Sequence, residues 1–210
     1  MSLNDMTWIK IFIVCIGIII GFMRFTFFNE STRIFWLFLF VALVFEIMDP
    51  LMSKYFGINF LVYHMFRPLL YVFLTVALSL ELSRFKKIYL ASIPVVLIAA
   101  FLNGYYFQPP DVALNTIIIN LISVLSILQV LFYIAILFEE HSWNETMYYY
   151  SFWIAMATLL HSIASFLSLG IHNLLKEDGQ AVVVWVQAWS EFVFYGAFSV
   201  NFLMQKKRQV

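Results

Sequence analysis

Charge is scarce in this sequence: 11% of its 210 residues are Asp, Glu, Lys or Arg, while 63% are hydrophobic and 20% aromatic. A soluble domain has about 25% charged residues and about 45–50% apolar ones. The polar residues are too few to cover a globule in water, which excludes an ordinary soluble domain and points to a bilayer as solvent. A single cysteine, Cys15, leaves no intramolecular disulfide and no cysteine-based zinc site. Lys and Arg balance Asp and Glu to a net charge of +0. With no global basic field, no nucleic-acid partner is expected. No low-complexity tract, internal repeat or linker interrupts the chain, so a single integral membrane domain over 1–210 is expected. The first apolar run, Trp8 to Phe28, is too long for a signal-peptide core and has no small-x-small cleavage site; it reads as a retained span.

Long apolar runs dominate instead. A membrane helix needs roughly 20 mostly apolar residues, and seven stretches meet that length: about 7–28, 34–52, 59–82, 88–107, 113–138, 147–171 and 181–204. Short polar breaks separate them, at 29–33, 53–54, 83–87, 108–111, 139–145 and 172–180. The expected fold is therefore all-α, a polytopic seven-transmembrane-helix bundle. Orientation follows the lysines and arginines of short loops. Arg24, Arg33, Arg84, Lys86, Lys87, Lys206, Lys207 and Arg208 fall on one face, and Lys10, Lys54 and Lys176 on the other. The first face is expected to be cytoplasmic, giving N-out/C-in, in a bacterial inner membrane.

The costly residues gather at the other face. An ionisable group at bilayer depth costs about 2.5–3.5 kcal/mol on insertion scales, which makes each one a candidate site. Counted inward at ~1.5 Å per residue, Glu46 lies about 9 Å deep, His64 about 8 Å and Arg67 about 12 Å, with Asp49 shallower than Glu46. The short connection from Ser53 to Ile58 makes the second and third helices antiparallel neighbours, so Glu46 and Arg67 are the expected ion pair, with Asp49 and His64 above it. Pro68 follows Arg67 and deprives the His64 carbonyl of its helical partner. In the sixth helix Thr158, His161, Ser165 and Ser168 share a face. Gln187, Glu191 and Tyr195 do the same in the seventh, with Ser190 alongside. His161 and Glu191 both come out about 15 Å deep, and no cation at that depth obviously neutralises Glu191. Thr116, Asn120 and Ser123 form a weaker stripe on the fifth helix.

A plainer reading applies to many of these groups. Ser, Thr and Asn between membrane helices usually act as glue, at about 0.6 kcal/mol per hydrogen bond. Glu81, Glu139, Glu140, His141 and His172 lie near span ends and are expected to be solvated. The remaining polar cavity is assigned to Glu46, Asp49, His64, Arg67, His161, Ser165, Gln187, Glu191 and Tyr195. No catalytic residue, metal ligand or cofactor site stands out.

Several chemistries fail on particular positions. The seventh stretch has no lysine for a retinal Schiff base. The inner end of the third reads Leu80-Glu81-Leu82-Ser83-Arg84, without the Asp-Arg-Tyr signature of hormone-receptor bundles. The expectation is a non-enzymatic sensor, signalling bundle or accessory subunit. It would take a small ligand from the outer side and act through a protein partner in the membrane or at the cytoplasmic face. A metal-dependent lipid hydrolase using His64, His161 and a carboxylate is one alternative, and a small transporter subunit is another.

Overall fold

The computed structural model describes residues 3–82, 85–149 and 151–205. Among them the secondary structure is entirely helical. Seven segments are long and apolar enough to cross a membrane. The long α-helices are α1 (Leu3–Arg24), α2 (Glu30–Phe56), α3 (Phe60–Glu81), α4 (Lys86–Leu102), α5 (Thr116–Glu140), α6 (Phe152–Leu167) and α7 (Glu177–Met204). A π-helical turn, Asn103–Phe107, extends α4; a 3₁₀ segment, Leu169–Leu174, follows α6. Of the basic positions assigned above to the cytoplasmic face, Arg84, Lys206, Lys207 and Arg208 lie outside the described residues.

Several helices run further than their apolar stretches. The polar break at 29–33 is helical from Glu30, because the Asn29 side chain accepts the Thr32 N–H at 2.8 Å and satisfies one of the exposed first-turn donors. At the far end α2 passes through Ser53 and Lys54 and stops at Gly57, whose φ of 75° is the left-handed cap that glycine adopts without penalty. Pro50 and Pro68 sit inside α2 and α3, which remain helical through them. Each removes an amide donor, from the carbonyls of Glu46 and His64 respectively. Outside the spans, Glu145 accepts from the Ser142 hydroxyl at 2.8 Å and the Ser142 amide at 3.0 Å, bonds that hold its carboxyl below the usual value.

The helices pack as a ring in the order α1, α2, α3, α5, α6, α7 and back to α1, with α4 outside against α3 and α5. Helix α1 comes very close to α2 at Gly21, where an added Cβ would lie 2.1 Å from the Trp36 ring. Phe35, Phe38, Phe66, Phe194 and Phe198 belong to the main buried cluster, while Phe12, Phe22, Met23 and Phe101 are exposed. An exposed apolar exterior over an aromatic interior suits a bilayer, where lipid offers helices no hydrophobic reason to associate and packing must hold them together.

Polar bonds secure the outlying helix. Tyr71 on α3 and Ser92 on α4 share a hydrogen bond at 2.6 Å, and Gln129 on α5 donates to the Tyr71 oxygen at 2.9 Å and accepts from Thr75 at 3.1 Å. The Tyr89 hydroxyl donates to the Gln129 carbonyl at 2.7 Å. Replacing Gln129 with leucine (Gln129→Leu) orphans the Thr75 donor and breaks the link to Tyr71, with an expected loss of about 1–2 kcal/mol. Unfolding of the purified protein in mixed micelles measures it; stability equal to wild type would show that the Gln129 amide contributes nothing to the packing of α5 against α3 and α4.

Candidate functional site

Five helices meet at one buried ionic network near the end of the bundle where α2 finishes and α1, α3 and α7 begin. Lys10 on α1 is its centre. Its ammonium lies 2.7 Å from Glu46 Oε2 on α2 and 3.0 Å from Glu191 Oε2 on α7. The second Glu191 oxygen accepts from Gln187 Nε2 at 2.8 Å and stands 3.9 Å from Arg67 Nη2 on α3. Arg67 Nη1 reaches α6, 3.1 Å from His161 Nε2 and 3.0 Å from Ser165 Oγ. Ser165 donates to Gln187 Oε1 at 3.0 Å, and Tyr195 donates to Glu46 Oε1 at 2.8 Å. All of these residues are buried.

The donors and acceptors agree along the whole chain of bonds. Guanidinium groups only donate, so His161 Nε2 is the acceptor and Nδ1 carries the proton. Nδ1 then donates to Ser190 Oγ at 3.1 Å, whose own hydrogen goes to the Gln187 carbonyl at 2.7 Å. The imidazole is therefore neutral, and it lies 4.8 Å from the nearly parallel Phe194 ring. Two cations, Lys10 and Arg67, face two carboxylates, Glu46 and Glu191. The core of the network is neutral, as burial of charge requires.

The arrangement differs from the expected one at four places. Glu46 pairs with Lys10, and the Glu46–Arg67 pair does not form; Arg67 turns instead toward α6 and α7. Glu191 has two cations nearby, Lys10 and Arg67, although no cation at its depth on the neighbouring spans was expected to neutralise it. His64 does not join the network: it is half-buried, with Nε2 3.1 Å from the Ala113 carbonyl. Glu81 is bonded rather than solvated. At the opposite end of the bundle it accepts short hydrogen bonds from Tyr133 and Ser151, and the Ser151 hydroxyl also bonds Ser31 at 3.2 Å. Asp49 sits beside the network and accepts from Asn59 Nδ2 at 2.6 Å.

Lys10 was missed because α1 begins at Leu3 rather than near residue 7. Placed seven residues into the helix, it lies about 10 Å along the axis from Leu3 rather than in the first turn. Asp5, acidic in the first turn, is the sequence signal for the earlier start.

Above the network lies a cavity of about 390 Å³. Lys10, Gln187 and Glu191 line its deep part, Asp49, Asn59 and Tyr63 its wall, and exposed Ser53 and Lys54 its mouth. Among the described residues no group of three or more His, Cys, Asp or Glu could hold a metal ion. No known family model, curated protein or solved structure matches this chain.

Removing one member of a buried ionic group leaves the rest uncompensated, at about 3–5 kcal/mol. Lys10→Met is expected to lose that much stability in detergent unfolding, and Lys10→Met with Glu46→Gln to regain more than half. Equal losses in the single and double variants would mean that Lys10 does not neutralise Glu46.

Proposed function

We propose that this chain is a multi-pass membrane protein, N-out and C-in in a bacterial cytoplasmic membrane, that works as a non-enzymatic sensing or accessory subunit. A small ligand enters the cavity from the outside, and a protein partner in the membrane or at the cytoplasmic face responds. The observation that carries this reading is that the cavity ends on Lys10 and Glu191, members of the network that joins α1, α2, α3, α6 and α7. A charged group arriving there competes for bonds that fix five helices at once. Such a ligand has different interaction energies with two helix arrangements, which is the requirement for shifting between them.

The orientation rests on the basic loops. Arg24, Arg33, Lys86 and Lys87 belong to the end opposite the cavity, together with Arg84 and 206–208 in sequence. The cavity end has Lys54 and Lys176, with Lys10 consumed in ion pairs. The hydrolase alternative lacks a set of metal donors among the described residues. No particular contact favours the transporter alternative.

Two measurements test this. In a Cys15→Ser background, Ser53→Cys is expected to react with an impermeant maleimide in intact cells, and Ser142→Cys only after permeabilisation; the reverse pattern would overturn the orientation. Glu191→Gln is expected to insert and fold, with faster hydrogen exchange at the cavity ends of α1 and α2 as well as α7. Exchange altered on α7 alone would sink the coupling on which the sensor reading depends.

A further inference from the structure

The charge around the cavity is unevenly distributed. A small annex of about 20 Å³ opens beside Lys10, lined by Glu46, Asp49 and Glu191 together with Tyr63. That is room for one water-sized group. Three carboxylates converge on it, whereas the ion pairs of Lys10 and Arg67 reach only Glu46 and Glu191. Asp49 is held by the neutral amide of Asn59. Asp49 is therefore the carboxyl of the annex that neither cation pairs with among the described residues. At the mouth the sign reverses: exposed Lys54 lines it.

We infer that the cavity takes a small zwitterion, with a primary ammonium seated at the annex by Asp49 and an anionic group, such as a phosphate monoester or diester, at Lys54. This rests on the ligand-binding reading above and names its chemistry. An ammonium matches a water in size and can donate to Asp49 and Glu191, and the Tyr63 side chain adds a polarizable wall. A trimethylammonium has no N–H and exceeds the annex. An anion alone meets carboxylates where it would need donors. The same chemistry is available from a free aminoalkyl phosphate and from an ethanolamine-phosphate lipid headgroup.

The test is binding to the purified full chain in micelles, read by thermal shift and calorimetry, with phosphoethanolamine, ethanolamine, phosphocholine and inorganic phosphate as probes. Phosphoethanolamine is expected to bind tightest, ethanolamine more weakly, and phosphocholine at least about tenfold more weakly than phosphoethanolamine, since it cannot satisfy the carboxylates. Asp49→Asn, which can keep the bond from Asn59, should weaken both amines about tenfold. Lys54→Gln, at an exposed position, should weaken phosphoethanolamine and leave ethanolamine unchanged. In nanodiscs, loss of the phosphoethanolamine signal with phosphatidylethanolamine but not phosphatidylcholine identifies the lipid as the source; binding in both identifies the free compound. Phosphocholine or phosphate binding as well as phosphoethanolamine, or no probe binding at all, overturns the zwitterion. The exchange experiment on Glu191→Gln is independent of these probes. A failed ligand class with intact coupling is thereby distinguished from a failed sensor.

Discussion

One ammonium group holds the cavity end together. Glu46 and Glu191 belong to different helices, α2 and α7, and Lys10 stands between them at 2.7 and 3.0 Å. Two carboxylates brought so near the same point in a low-dielectric interior would repel strongly without it, and dehydrating them would cost several kcal/mol each. The ammonium also sets the rotation of α1. That helix is apolar on nearly every side, so lipid and core would accept many of its faces equally well. Lys10 and the close approach at Gly21 distinguish one face from the others. Specificity of register is the best-attested use of a buried charge, and α1 is a helix that needs it.

The seven spans could be read from composition because lipid imposes a length and a polarity on every crossing segment. The stripes His161–Ser165 and Gln187–Glu191–Tyr195 were also legible, since three- and four-residue spacings place side chains on one helical face whatever the surroundings. Pairing across helices was not. The short connection between α2 and α3 correctly implies neighbours, but neighbours at equal depth need not present the same face. Glu46 points to α1 and α7, and Arg67 to α6 and α7. Glu81 shows the same limit from the other side. Nearness to a span end suggested solvation, yet Ser31, Tyr133 and Ser151 come from three other parts of the chain to enclose it. Gln129 passed unnoticed in an apolar run because one amide has no spacing pattern.

Along α2, hydrocarbon and aromatic rings separate the two polar ends of the bundle. On α2 the buried residues between Ser31 and Glu46 are Thr32, Phe35, Phe38, Leu39, Ala42 and Phe45, over about 22 Å of helix. Phe198 and Phe202 continue this layer on α7 below Tyr195. Phe38 stacks against Phe66 and Phe198, so α2, α3 and α7 interlock within it. A packed interior of this kind has discrete arrangements and does not deform smoothly.

This separation limits how one end can influence the other. No chain of hydrogen bonds crosses the aromatic layer among the described contacts, so a change at Lys10 has no polar relay to follow toward Glu81. What does connect them is backbone. Helix α2 carries Glu46 at one end and Ser31 at the other, and α3 carries Arg67 and then Glu81. A displacement of α2 at Glu46 would reach Ser31 through the helix backbone, past the rings that interlock α2, α3 and α7. The Ser31–Ser151–Glu81 bonds lie where such a displacement would emerge, beside the basic loops assigned to the cytoplasmic face. Under the proposed sensing role, movement of these rods is the form in which the network would report its state.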